Sequence, residues 1–121
     1  MKLQIRFSIT GSIEGVRILP FVLITLVENA IKHGELQDSH HPVRVDLVCD
    51  HAARQLSFSV YNLKREGPKE VSTGIGLENT GSRLKWAYKD LHSFQTIDEA
   101  GYFSAQLKIP LYTDDDQLPG Y

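Results

Sequence analysis

Alternating apolar and polar residues predict five strands along the chain. From Leu3 to Ile9 every second residue is apolar, which is typical of a strand with one buried face. Only His51 to Arg54 separate the second and third runs, and such a short connection predicts an antiparallel hairpin. Another hairpin is predicted near the C-terminus, with its turn at Ala100 and Gly101. The predicted strands cover residues 3–9, 43–49, 56–60, 93–99 and 102–109.

Two further segments carry helical patterns. The run from Pro20 to His33 is apolar on most sides, and Pro20 suits the first turn of a helix because its missing N–H is not needed there. Gly34 is the predicted stop, in the left-handed conformation that favours glycine at helix ends. Apolar residues at helical spacing predict a second helix over 76–91. The order of elements predicts an α+β fold, a two-layer sandwich with helices on one face of a mixed, mostly antiparallel sheet.

The chain is long enough for one domain. It has 121 residues, and we predict a single domain over 1–111 followed by an acidic, disordered tail over 112–121. Residues 62–73 combine glycine, proline and charged side chains with little apolar content, which predicts a mobile loop and a candidate lid.

Charge and apolar content exclude two classes of partner. Lys and Arg number 13 against 15 Asp and Glu, and the net charge of −2 provides no basic field for nucleic acid. The longest apolar run, 18–27, falls short of the roughly 20 residues of a bilayer crossing. No secretory signal is visible, and the single Cys49 fits side-chain packing in a reducing compartment. We therefore expect a cytosolic domain.

The first helix carries a narrow polar stripe. Thr25, Glu28, Asn29 and Lys32 follow one another at i, i+3, i+4 and i+7, which places them on one side of the helix. The amide oxygen of Asn29 suits a hard cation such as magnesium, and the ammonium of Lys32 suits a phosphate. The stripe therefore indicates a phosphate and metal site, although a stripe that simply faces water has the same pattern.

A second candidate feature is the glycine pair Gly74 and Gly76 at the entry to the second helix. Glycine lets the backbone approach an anion closely, and the N-terminus of a helix attracts phosphate. A flexible turn before a helix carries the same residues, so this pair alone leaves both interpretations open.

Together, the segments LPFVLITLVENAIKHG and GIGLENTGSRLKWAYKD resemble two boxes of the GHKL ATPase superfamily, in particular the HATPase_c domain of LytS-like sensor histidine kinases. The closing YFSAQLKIPL is similar to the last strand of that family, so the resemblance spans about residues 3–111. It implies a Bergerat-type sandwich that binds ATP and Mg²⁺. It also implies a histidine kinase catalytic domain, a phosphotransferase acting on a histidine of an absent dimerisation domain.

The resemblance assigns roles to residues of the first box. Asn29 corresponds to the asparagine that coordinates magnesium in the family. Glu28 occupies the acidic position before it, where it orients a metal-bound water or acts as a base. Lys32 and His33 match positions that approach the phosphates or the lid.

The resemblance also assigns residues around the nucleotide. Gly74, Gly76 and Leu77 match the glycine box that receives the phosphates. Ser104 is expected where relatives often have a threonine near the adenine. Asn62 stands where many members have an aspartate that accepts a hydrogen bond from the adenine amino group, and its neutral amide is the weaker acceptor.

The implied partners follow from the family. They are ATP, the phosphoacceptor histidine domain of the same kinase and, indirectly, a response regulator, in the cytosolic part of a membrane-anchored bacterial kinase. The isolated domain is expected to be a monomer, and its own histidines are not expected to accept the phosphoryl group. Two alternatives remain: a degenerate GHKL module that serves as a regulatory or interaction platform, and an ATPase that uses water as the acceptor.

Overall fold

The computed structural model describes residues 4–19, 21–38, 40–64, 75–114 and 116, with side chains for all of these except 75 and 76. The described elements, in chain order, are β1 (Ile5–Thr10), β2 (Val16–Arg17), α1 (Val22–His33), β3 (Val43–Asp50), β4 (Gln55–Leu63), α2 (Ile75–Tyr88), a 3₁₀ turn (Lys89–Leu91), β5 (Ser93–Asp98), β6 (Tyr102–Pro110) and β7 (Tyr112–Thr113).

Five of these strands form one sheet in the order β1-β3-β4-β6-β5. The β1–β3 pair is parallel, and the β3–β4, β4–β6 and β5–β6 pairs are antiparallel. Strands β2 and β7 form a separate two-stranded ribbon. The predicted α+β fold with a mixed, mostly antiparallel sheet is therefore confirmed, including both predicted hairpins.

The core lies between the sheet and the two helices. Alternate residues of β3, β4 and β6 are buried, while most of those between them are half-buried or exposed, so the sheet has a helix-covered face and an open face. The helices contribute Val22, Leu26 and Ala30 from α1, and Leu84, Ala87 and Tyr88 from α2.

Several element boundaries differ from the predicted ones. Strand β4 continues to Leu63, and Asn62 therefore lies in a strand rather than in the predicted loop. The extension is stabilised by pairing with β6, where Asn62 lies opposite Phe103. Helix α1 starts at Val22, after Phe21 in a left-handed conformation with φ of 67°. Pro20 and most of the predicted lid, residues 65–73, lie outside the described residues.

The acidic C-terminal segment begins with ordered structure where the sequence predicted disorder. Of residues 112–121, the structure describes 112–114 and 116. Tyr112 and Thr113 pair with β2, and the Asp116 carboxylate accepts hydrogen bonds from the Thr113 N–H at 2.9 Å and from Arg54 Nη2 at 3.1 Å. These two donors, the Thr113 N–H first, hold the pKa of Asp116 below its ordinary value.

The single cysteine is a core residue. Cys49 is buried on the helix-covered face of β3 and forms no disulfide. Burial raises the pKa of its thiol. These features fit the predicted packing role. Within the described residues, no helix combines the length and apolar composition needed to cross a bilayer.

One buried hydrogen bond connects distant parts of the helical layer. The Leu19 backbone N–H donates to the Tyr88 hydroxyl at 3.1 Å, across 69 residues of sequence. The Tyr88 ring also stacks on Tyr112, with centroids 6.3 Å apart. Tyr88 therefore holds the end of α2 against the segment that leads into α1.

We predict that Tyr88→Phe lowers the free energy of unfolding by about 1–3 kcal/mol, because it leaves the buried Leu19 N–H without its acceptor while keeping the ring stack. Urea titration followed by circular dichroism measures this loss. Tyr102→Phe is the matched control, since the hydroxyl of Tyr102 bonds to none of the described residues. Equal losses in the two variants would show that the hydroxyl of Tyr88 does not carry the connection.

Candidate functional site

The C-terminal end of α1 lies against the end of β4. The Gly34 N–H donates to the Ala30 carbonyl at 2.8 Å, and the Glu35 N–H donates to the Leu63 carbonyl at 2.7 Å. Gly34 has φ of −84° and ψ of 155°, so the predicted left-handed stop is wrong. Glycine is needed for space: a Cβ would overlap the Ala30 carbonyl oxygen and lie 3.2 Å from Cβ of Asn62.

Asn62 is buried beneath this helix end. Its relative exposure is 0%, and its Nδ2 donates to the Leu63 carbonyl at 3.1 Å. Its Oδ1 is buried and has no hydrogen-bond partner among the described residues. An unpaired buried acceptor costs about 1–3 kcal/mol, so such a group in a folded protein requires an explanation. A ligand N–H group directed at Oδ1 would satisfy it.

The polar stripe of α1 divides into exposed and half-buried residues. Thr25 Oγ1 donates to the Phe21 carbonyl at 2.7 Å, so this hydroxyl is satisfied within the helix itself. Glu28 and Lys32 are exposed, whereas Asn29 and His33 are half-buried.

Asn29 is the member of the stripe with an unused amide. Its side chain makes no hydrogen bond to any described residue. Asn29 and His33 are four residues apart and therefore share the side of α1 that ends at Gly34. This side is partly covered and leads to the helix end above Asn62, whereas Glu28 and Lys32, the exposed members of the stripe, face water.

The second helix packs against the first and contains two of the predicted site residues, Gly76 and Leu77. The two helices pack against each other, and Tyr88 at the end of α2 contacts Leu19 ahead of α1. The start of α1 therefore lies near the end of α2, while Gly76 and Leu77 lie in the first turn of α2, at its other end. Leu77 is half-buried, and Gly74 lies outside the described residues.

Ser104 does not belong to this site, contrary to the sequence prediction. It lies opposite Tyr61 in the β4–β6 pair, whereas Asn62 lies opposite Phe103. Successive residues of a strand point to opposite faces, so Ser104 lies on the open face and Asn62 on the helix-covered face.

One buried polar residue escaped the sequence analysis. Thr80, on α2, is 3% exposed, and with Asn62 it makes up the buried polar side chains of the described residues. Its spacing of four residues from Leu84 places it on the buried side of α2. This spacing from Leu84 could have indicated burial from the sequence. It is not sufficient, because a threonine four residues from an apolar residue can be either buried or exposed.

The described residues provide oxygen ligands for a hard cation but no dense cluster. No group of three or more His, Cys, Asp or Glu side chains able to hold a metal occurs among them. Magnesium generally takes one or two protein oxygens and completes its shell with phosphates and water, so the Asn29 amide and the adjacent Glu28 carboxylate fit that requirement. Asp38, in the loop after α1, has a pKa below its ordinary value. The chief cause is the hydrogen bond that its carboxylate accepts from the His40 backbone N–H, and this shift is local to the loop.

Comparison with known proteins identifies the fold. No family model matches the chain. No curated protein matches it either. Solved structures do: the catalytic domain of histidine kinase ThkA has a TM-score of 0.52 and 18% identity over 88% of this chain and 80% of that one. The Acinetobacter baumannii histidine kinase AdeS has a TM-score of 0.54 and 15% identity over 93% and 56%.

A third match is the histidine kinase domain of the blue-light-activated kinase from Erythrobacter litoralis EL346, with a TM-score of 0.53 and 14% identity over 89% of this chain and 55% of that one. The chain thus spans just over half the length of the AdeS and Erythrobacter chains. It has the fold of these histidine kinase catalytic domains. None of the three matches singles out the LytS-like group.

We predict that Gly34→Ala lowers the free energy of unfolding by about 1–3 kcal/mol, because the added Cβ would overlap the Ala30 carbonyl oxygen and crowd Cβ of Asn62. Gly101→Ala is the matched control, since a Cβ there meets no atom within 4 Å. Denaturant titration of both variants measures the difference. If Gly34→Ala were as stable as Gly101→Ala, the close approach of the helix end to β4 would be refuted.

Proposed function

We propose that this chain is the ATP-binding catalytic domain of a two-component sensor histidine kinase. It would bind ATP with magnesium and transfer the γ-phosphoryl group to a histidine on a separate dimerisation domain. The fold supports this function, and the observation that carries it is the unsatisfied Oδ1 of Asn62 beneath the end of α1. Asn29 and Lys32 lie on that same helix.

Asn62 would recognise the adenine. Its Oδ1 is an acceptor without a described protein donor, and the exocyclic amino group of adenine is a donor of suitable chemistry. The Nδ2 atom is already engaged by the Leu63 carbonyl, which fixes the amide orientation. Because Asn62 is neutral, this hydrogen bond is weaker than one to a carboxylate. We therefore expect modest affinity for adenosine alone.

Residues of α1 would hold the phosphates and the metal. The Asn29 amide oxygen, which has no described hydrogen-bond partner, would ligate magnesium, and the exposed Glu28 beside it would orient a metal-bound water or act as a base. Magnesium supplies charge neutralisation on the phosphates when bound. Lys32 would place its ammonium near the phosphate oxygens, and His33 would approach the phosphates or the lid.

The glycine segment would complete the phosphate site. Gly76 and Leu77 lie in the first turn of α2, where backbone N–H groups and the helix dipole favour an anion. Gly74 would precede them in the same segment. With the nucleotide held between α1 and α2, catalysis consists mainly of positioning and charge stabilisation, and the histidine nucleophile comes from the phosphoacceptor domain. A response regulator would receive the phosphoryl group from that histidine, in the cytosol.

The neutral Asn62 also favours a second candidate function. A GHKL module that has lost the acidic adenine ligand can keep its fold and act as a regulatory or interaction platform. The two candidates differ in whether Mg-ATP binds at all. Binding of ligand to the folded state raises the melting temperature, so thermal denaturation with millimolar Mg-ATP separates them.

We predict that Asn29→Ala removes the magnesium-dependent part of ATP binding without unfolding the protein, because Asn29 is half-buried and bonds to none of the described residues. Isothermal titration calorimetry with and without magnesium measures this part. Gln106→Ala is the matched control, an exposed amide on the open face of β6. Wild-type magnesium dependence in Asn29→Ala would contradict the metal assignment.

We predict that Asn62→Leu abolishes adenosine binding without lowering the free energy of unfolding. The apolar side chain removes the unsatisfied acceptor, and the Leu63 carbonyl keeps its hydrogen bond from the Glu35 N–H. The free energy of unfolding should stay level or rise by up to about 1–3 kcal/mol, while adenosine binding disappears. Denaturant titration and calorimetry measure the two quantities.

Asn62→Asp is the matched variant that keeps an acceptor. It should tighten adenosine binding, since hydrogen bonds to a charged acceptor are roughly twice as strong. The adenine assignment would be refuted if Asn62→Leu bound adenosine as wild type does, or if Asn62→Asp abolished binding while remaining folded.

A further inference from the structure

Strand β1 is an unprotected edge of the five-stranded sheet. It pairs with β3 and with no other described strand, so the backbone groups along its outer side have no partners among the described residues. It is 6 residues long and contains neither proline nor glycine. Native proteins usually protect such edges, and an unprotected one is a template for another strand.

The edge also exposes a continuous apolar row. Ile5, Phe7 and Ile9 are 39%, 59% and 49% exposed. Their register with Val43, Val45 and Leu47 of β3 places them on the helix-covered face of the sheet, at a margin where the helices leave them accessible. Exposed apolar residues in a row, unlike scattered ones, indicate an interaction surface.

We infer that β1 pairs antiparallel with β1 of a second copy of this chain, across a two-fold axis at Phe7. In this register Phe7 lies opposite Phe7 of the second copy, Ile5 opposite Ile9, and Arg6 opposite Ser8. Every apolar residue of the row meets an apolar residue, and the interface is the same patch on both chains, as two-fold symmetry requires. The result is a ten-stranded sheet across two domains.

Charge selects this register over a neighbouring one. Placing Ile5 opposite Phe7 of the second copy would put Arg6 opposite Arg6, and like charges directly opposite each other destabilise a strand pair. In the register centred on Phe7, the residue opposite Arg6 is the small, neutral Ser8. The guanidinium can extend over it.

On the open face, the residue next to Ser8 across the sheet is Asp46, whose negative charge is complementary to that of Arg6. Arg44, the register neighbour of Arg6, stacks on the Tyr61 ring at 4.8 Å. Arg6 itself forms no ion pair within the described residues, and neither does Asp46, the register neighbour of Ser8. Across the junction the row therefore runs Arg44, Arg6, then Ser8 and Asp46 of the second copy.

The span between the two unpaired charges suits an arginine. Neighbouring strands lie about 4.8 Å apart, so the backbones of Arg6 and of Asp46 in the second copy are about 10 Å apart. The long arginine side chain can reach over one serine towards the short aspartate side chain, and symmetry provides the pair twice. A six-residue junction with two ion pairs is at the small end of stable interfaces, so the dimer is reversible and sensitive to salt. This proposed dimer differs from the monomer expected from the sequence.

Sedimentation equilibrium of the 121-residue chain over a range of concentrations and at two salt concentrations tests the dimer. Arg6→Glu and Asp46→Lys should each raise the dissociation constant about tenfold or more, because each places like charges across the junction. The double variant, Arg6→Glu with Asp46→Lys, restores opposite charges and should recover most of the affinity. Both positions are exposed, so the variants should fold, and circular dichroism of each one checks this.

Two further variants separate this edge from the rest of the surface. Phe7→Lys should abolish association. Ile97→Lys should leave it unchanged, since Ile97 is 45% exposed on β5, the opposite edge of the sheet. A monomer at all concentrations would overturn the inference, as would an equal effect of Phe7→Lys and Ile97→Lys or a double charge variant no tighter than the single ones. None of these outcomes depends on nucleotide binding.

Discussion

The approach of the end of α1 to the end of β4 is the constraint on which the candidate site depends. At Gly34 the chain leaves the helix in an extended conformation and crosses above Asn62, where a side chain would overlap the Ala30 carbonyl oxygen. This approach buries the Asn62 amide, and its Oδ1 has no donor among the residues that the structure describes. The contact between Gly34 and Asn62 therefore explains both the need for glycine at the helix end and the burial of the Asn62 amide. The site is built into the fold rather than added to a loop.

The elements of the fold were largely predictable because their signals are local. Period-two alternation identified the strands, and the apolar run before Gly34 identified α1 to within two residues. The conformation of Gly34 was not predictable in the same way. Sequence shows that a glycine ends the helix, but a left-handed cap and a close contact with a distant strand both favour glycine. Only the tertiary contact with Asn62 distinguishes them.

The candidate site shows the same division between local and tertiary information. The spacing of Asn29 and Lys32 on one helix side needs only the helical period, and it was available from the sequence. The face of Ser104 depends on the register of β6 against β4, because successive residues of a strand lie on opposite faces of the sheet. Thr80 escaped because its burial depends on what α2 packs against. The spacing of residues within one helix could be predicted. The face or burial of a residue that depends on how two elements pack or pair could not.

The sheet separates the two interactions inferred for this chain. The proposed nucleotide site lies in the helical layer, where Asn62 is at the end of the central strand β4. The proposed dimer contact uses the outer edge of β1, with β3 lying between the two. Its ion pairs lie on the open face, through Arg6 and Asp46, away from the helices. Because no residue contributes to both, association can form with the nucleotide site open, and edge pairing would join two sites through a continuous hydrogen-bonded sheet.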